Sequence, residues 1–169
     1  SQNLKVNFQT INLKAVEISV LKIYQNNVLQ FLQENDFGGA YRLRRVGATI
    51  AQKVVPIQAT TKNSLSKWST HAIDLSKIIT PEPGAIYRVK IDFKKEYALN
   101  CNNDKTPIQE ENLLVLEEDG NSDYYDYDDY DYDYDWEERD DPCKDSYYYR
   151  KSVETNILAT DLGVVVKRG

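Results

Sequence analysis

The chain has 169 residues, 41% hydrophobic and 28% charged, with only 7 Gly and 5 Pro, a size and composition that suit one folded domain rather than a disordered chain. No run reaches the roughly 18 consecutive apolar residues of a membrane helix, so no membrane contact by this segment is expected. The net charge of −6 hides a split: 14 acids and a single base, Arg139, lie between residues 117 and 141, which leaves +7 on the rest. A block of that density repels phosphate and excludes an ordinary nucleic-acid-binding role.

The first 99 residues read as strands. Val6 and Phe8 alternate with polar neighbours, and Val16, Ile18 and Val20 repeat that period of two before Leu21, Ile23 and Tyr24, as half-buried strands do. After Asn26 and Asn27, residues Val28, Leu29, Phe31 and Leu32 take helical spacing behind a good start signal. Residues 36–39 read as a loop. Residues 42–46 and 50–57 are expected to be extended and to form a hairpin broken at Gly47. Residues 68–75 give another strand, with a short helical turn over 74–79. From Gly84 onward, Tyr87, Val89, Ile91 and Phe93 share one phase while the other carries mostly charge, which predicts one face in and one face out.

Between those last two strands, Ile79, Pro81, Pro83, Gly84 and Tyr87 have the spacing of a tyrosine corner, in which a Tyr early in a late strand bonds its hydroxyl back to the preceding turn. The bland reading, a Tyr that simply faces the core, also keeps a sandwich. Residues 100–145 lose alternation, and strand character returns over 153–160 and 163–167. Without that stretch about 120 residues remain, the size of a fibronectin-III-like or immunoglobulin-like sandwich. The expected architecture is therefore all-β: one sandwich domain over residues 1–169, with a long acidic, Tyr- and Asp-rich insertion at 100–145.

Cys101 and Cys143 are the only cysteines and bracket the acidic block. A disulfide between them would tether the insertion and imply an oxidising compartment; two unrelated free thiols are the other reading. Alternate carboxylates Asp129, Asp131, Asp133 and Asp135 offer hard oxygens to calcium, but no EF-hand glycine accompanies them, and a solvated, self-repelling loop accounts for the same residues. Tyr130, Tyr132, Tyr134 and Trp136 are the amphipathic aromatics that binding loops use; packing on the domain's own bases, such as Arg42, Arg44, Arg45, Lys94 and Lys95, is a third reading. His71, the only histidine, shares a phase with Ile73 and Leu75, which points to packing. With no Gly-x-Ser-x-Gly, phosphate loop or defined carboxylate cleft, we expect no catalytic residues, no cofactor and no enzyme.

Several stretches, taken together and in order, resemble macroglobulin domains of bacterial alpha-2-macroglobulins of the Bacteroides-like type: residues 21–33; Trp68 with 74–77; residues 81–89, Pro-Glu-Pro-Gly-Ala-Ile-Tyr-Arg-Val; residues 134–143; and residues 156–163, Asn-Ile-Leu-Ala-Thr-Asp-Leu-Gly. The resemblance implies a non-catalytic scaffold domain, partnered by neighbouring macroglobulin domains of its own chain, in a protein that traps proteases in the periplasm or at the cell surface, with the parent membrane-anchored. Residues 161–166 resemble the last strand of such a domain, leading into its successor. The family's Cys-x-Glu-Gln thioester motif is absent here, since Asn102-Asn103-Asp104 follow Cys101 and Lys144-Asp145-Ser146 follow Cys143. Beginning at Ser1 without Met and ending just behind an apolar run, the chain reads as a piece excised from a longer protein, so the lack of a leader says nothing of location. The competing expectation is an extracellular adhesion or ligand-binding module that uses the acidic loop to bind protein, glycan or calcium.

Overall fold

The structure, a computed structural model, describes residues 4–40, 43, 46–57, 66–99, 114–115, 136–149 and 151–159. The described chain is mostly β, with two antiparallel sheets and one helix: β1 Lys5–Thr10, β2 Ala15–Ile23, α1 Val28–Glu34, β3 Gly47–Pro56, β4 Ser69–Asp74, β5 Ile86–Asp92, β6 Leu114–Val115 and β7 Ser152–Leu158. Strand β1 pairs with β4, and the larger sheet runs β6-β3-β2-β5-β7. Val6, Phe8 and Ile73 from the small sheet, with Leu4 and Leu75 at its ends, share one apolar cluster with Val16, Ile18, Val20, Tyr87, Val89 and Ile91 from the large one, an arrangement consistent with an all-β sandwich.

Strand period explains which residues meet. In the β2–β5 ladder Ile18 pairs with Ile91, Val20 with Val89 and Lys22 with Tyr87, so these side chains share the face turned to β1 and β4. The other phase, Leu21 and Ile23 with Ile86, packs beneath Phe31 of α1 and the connecting residues Leu43 and Val46. That cover buries the second face of β2 at Leu21 and Ile23, and Tyr97 with Val54 does the same at Ala15, where alternation alone predicts a half-buried strand. Burying Phe31 almost completely is worth about 2–3 kcal/mol, and it fixes α1 to the sheet in spite of its seven residues.

Among the described residues, the expected hairpin across Gly47 is not found. Leu43 and Val46 belong to the turn closing on β3, with Val46 N–H donating to Leu43 O at 3.0 Å, and β3 starts at Gly47 and pairs with β2 instead. Gly47 is required by close approach: a Cβ there would stand 2.4 Å from Lys22 O. The break is thus the start of a ladder. Ile50 is the extra residue of a register shift in that ladder, since Val20 pairs with Ala51 and Leu21 with Thr49. A second departure is β6, which adds Leu114 and Val115 to β3 inside the stretch where alternation had vanished.

At the β4–β5 corner, Glu82-Pro83-Gly84-Ala85 form a turn closed by Ala85 N–H to Glu82 O at 3.2 Å, with Gly84 at φ 84°. Pro presets the first central position and Gly supplies the positive φ that the second demands, the chemistry of a type II turn. Tyr87 is fully buried, and its hydroxyl accepts from Glu82 N–H at 2.9 Å. Tyr87→Phe keeps the ring and removes this acceptor, so it should cost about 1–2 kcal/mol in urea unfolding; a loss under a few tenths would mean that water replaces the hydroxyl.

Candidate functional site

Two basic side chains within the strands are buried. Lys22, on the inner phase of β2, is 5% exposed; its Nζ donates to Glu82 Oε1 at 2.7 Å and stands 4.9 Å from the Tyr24 ring centre. Glu82 therefore serves the corner twice, through its backbone to Tyr87 and its carboxylate to Lys22. The strand β5 residue Arg88, expected on a solvated face, is 6% exposed, because residues 37–39 cross over it. Its Nη1 donates to Gly39 O at 3.1 Å and Asn156 Oδ1 at 3.0 Å, and Nη2 pairs with Glu154. Asn156 Nδ2 in turn donates to Phe37 O at 2.5 Å and Gly39 O at 3.2 Å. The pair thus holds the α1–β3 connection onto β5 and β7 by satisfying its carbonyls.

Beyond Arg88 the same outer face carries alternating charge. Glu17 pairs across the ladder with Asp92, and Lys90 with Glu154; Lys94 Nζ reaches Glu17 at 2.7 Å and Lys90 Nζ reaches Asp92 at 3.4 Å. Burial pushes the Asp92 carboxyl above its ordinary 3.8, opposed by Lys90 and assisted by Glu17 and Glu154. A group whose folded pKa is raised holds its proton more tightly in the native state, so stability falls as pH climbs from about 3.8 through the raised value. Asp92→Asn should hence be more stable than the native chain at about pH 7, with the difference vanishing below about pH 3. Urea midpoints at both pH values check this; a variant weaker at neutral pH would show that the Lys90 pair outweighs burial.

At the far end of β5, residues 136–149 make successive turns. Phe93 meets the Tyr148 ring edge-on at 5.7 Å, the Tyr148 hydroxyl donates to Pro142 O at 2.6 Å, and burial, followed by the nearby Tyr147, Asp145 and Asp141, pushes that hydroxyl's pKa up. Lys151 Nζ stands 3.3 Å from the Tyr147 ring centre, and Lys95 pairs with Asp145 at 3.7 Å. Cys143 N–H donates to Asp141 Oδ1 at 2.9 Å, and Cys143 is disulfide-bonded.

Of the residues singled out by sequence, Pro83, Gly84 and Tyr87 meet at the corner. His71 is half-buried: its Nε2 is 2.8 Å from Thr10 Oγ1 and its ring 5.3 Å from Phe8. Trp136 is exposed, with Arg139 5.6 Å from its ring centre. Cys101, Asp129, Asp131, Asp133, Asp135, Tyr130, Tyr132 and Tyr134 lie outside the described residues, as do Arg42, Arg44 and Arg45. Among the described residues no group of three His, Cys, Asp or Glu is arranged to hold a metal, and no helix is long and apolar enough to cross a membrane. Sequence reading missed Lys22, Arg88 and Asn156; for the two bases the available signal was a charge interrupting an apolar strand, and for Asn156 there was none. Compared with protein-family models, curated proteins and solved structures, the chain matches none.

Non-reducing peptide mapping should return one cross-linked species joining Cys101 to Cys143. Reduction should then lower stability by about 4 kcal/mol, from the chain entropy of a loop of about 43 residues. Two thiols that alkylate without reductant would remove the tether.

Proposed function

We propose that this chain is a non-catalytic fibronectin-III-like, macroglobulin-type sandwich domain, a scaffold and interaction element of a bacterial alpha-2-macroglobulin-like protein that traps proteases outside the cytoplasm. The observation that carries the fold part is the Tyr87 hydroxyl on Glu82 N–H at 2.9 Å, closing the corner between β4 and β5, in a chain whose strands neighbour as β1-β4 and β3-β2-β5-β7. Two sheets of that order, with a tyrosine corner entering the strand beside β2, support a Greek-key sandwich of fibronectin type. The protease-trapping role rests on the resemblance of residues 21–33, Trp68 with 74–77, 81–89, 134–143 and 156–163 to macroglobulin domains.

On this reading the acidic stretch 100–145 is an insertion between β5 and β7, tied at its base through Cys143. A disulfide-bonded cysteine agrees with the periplasm or cell surface. The domain's partners are the neighbouring domains of its own chain, and proteases meet it only within the assembled trap. Neither chemistry nor a cofactor is required of it; what it contributes is a rigid body.

The test is made on the full-length protein containing this domain. Incubated with endoproteases, that protein should be cut and should retain the protease in a stable complex, and deleting residues 104–141 should leave the retained fraction unchanged. The isolated domain should neither inhibit nor hydrolyse. Inhibition or hydrolysis by the isolated domain would overturn the scaffold reading, and loss of a bound protein, glycan or calcium ion on deleting 104–141 would replace it with that of a ligand-binding module.

A further inference from the structure

Two apolar clusters lie on opposite faces of the large sheet: Val16, Ile18 and Val20 of β2 belong to the core between the sheets, whereas Leu21 and Ile23 with Ile86 lie under Phe31 on the outer face. The segment that covers this outer face is seated by one side chain. Through residues 25–39 Phe31 alone is buried, while Leu29, Leu32 and Phe37 are exposed. At seven residues, α1 is well short of the roughly 12–15 at which an isolated helix begins to hold in water, so its order comes from its attachments. The second attachment is polar and sits at the far end. The carbonyls of Phe37 and Gly39 accept from Asn156 Nδ2, and that of Gly39 also from Arg88 Nη1, with Glu154 paired to the other end of the guanidinium. Helix and clamp are joined through Asn35. Its N–H and its Nδ2 both donate to Phe31 O, at 3.0 and 3.1 Å, and a Cβ at Gly39 would stand 2.7 Å from its Oδ1, so the clamped residues lie directly against the end of α1.

We infer that residues 28–39 are a strap that opens from the sheet as one unit, seated by Phe31 and latched by Arg88 and Asn156. The latch is made of hydrogen bonds to backbone carbonyls, which weaken steeply with small displacements, and Phe37 and Gly38 beside it are exposed. Once it lets go, the only buried side chain of the strap is Phe31, and the close fit of Gly39 on Asn35 carries the loss from one end to the other. Opening bares Leu21, Ile23 and Ile86 but leaves the core on the opposite face of the sheet closed, because the contacts given up belong to the outer cluster. Segments with few buried apolar contacts are those that open below the free energy of global unfolding. The domain thus has one permanent core and one apolar face that is covered conditionally. This inference does not depend on the protease-trap reading.

Amide hydrogen exchange on the full chain tests it. Asn35 N–H closes the last turn of α1 on Phe31 O, and Gly39 N–H, bonded to Asp36 O at 2.8 Å, lies in the latch. Both should exchange at least about tenfold faster than the amides of β2 and β5. Asn156→Ser, which removes part of the latch, should quicken Asn35 as well as Gly39 by about tenfold; Phe31→Leu, at the other end, should quicken Gly39 as well as Asn35 by a similar factor, with β2 and β5 amides unchanged in both. Should Asn156→Ser unfold the domain, Phe31→Leu, placed outside the central core, gives the reading. Native rates at Asn35 and Gly39 as slow as those of β2 and β5 overturn the inference, and so does a variant that quickens only the amide at its own end. Quickening of β2 and β5 by the same factor, or unfolding of both variants, overturns it too, since the strap would then open only with the whole domain.

Discussion

One part-buried hydrogen bond above all, Glu82 N–H to the Tyr87 hydroxyl, holds the place where the two sheets exchange chain. The ring of Tyr87 lies in the core between them, so its hydroxyl end needs a partner, and the turn supplies one only if Gly84 keeps its positive φ. The same short turn receives Lys22 from β2 through the Glu82 carboxylate and meets Ala159 after β7 through Gly84 N–H. Three strands of the large sheet thus take their alignment from one corner. Packing alone is less exacting: apolar faces tolerate sliding, whereas a hydrogen bond made at 2.9 Å does not.

Buried charge performs the complementary task on the outer face. Arg88 and Asn156 bind the carbonyls of residues 37–39, groups that would otherwise be covered without partners when α1 and its connection close over the sheet. A hydrocarbon at position 88 would pack as well but would leave those carbonyls unanswered. Among the described residues Arg88 Nε is itself buried without a hydrogen-bond partner, a sign that the cluster is fitted to the loop at some electrostatic cost. Removing either partner strands the other, which is how a pair of modest net value becomes expensive to break.

Much of the sheet was legible from alternation. Val6 with Phe8, Val16 with Ile18 and Val20, and Tyr87 with Val89 and Ile91 all sit on the faces that their period assigned, and the corner was readable because turn and tyrosine are adjacent in sequence. What alternation could not carry was cover supplied from elsewhere. Arg88 looked solvated because its neighbours Lys90 and Asp92 are polar, and only the crossing of residues 37–39 buries it. Residues 42–46 were expected to be extended, although Leu43 and Val46 are drawn to Phe31 by packing. Leu114 and Val115 are too short a strand to show a period at all; they pair because the β3 edge is there to receive them. The acidic carboxylates and tyrosines of 129–135 lie outside the described residues, and a role in protease trapping is not a property that periodicity encodes.

Strand β5 is held differently at its two ends. Its beginning is locked by the corner, while its far end is followed by Phe93 against Tyr148 and by Lys95 against Asp145, contacts formed by the chain on its way back to β7. The ladder between β5 and β7 runs unbroken from Ile86 with Leu158 to Asp92 with Ser152, so the two strands are registered before the intervening residues are consulted. A long connection costs little extra closure entropy once its ends are fixed, because that cost grows only with the logarithm of length. The chain between Val115 of β6 and Trp136 is accordingly an exchangeable cassette: its length and chemistry can change through evolution or by grafting while the sheet that carries it keeps its geometry.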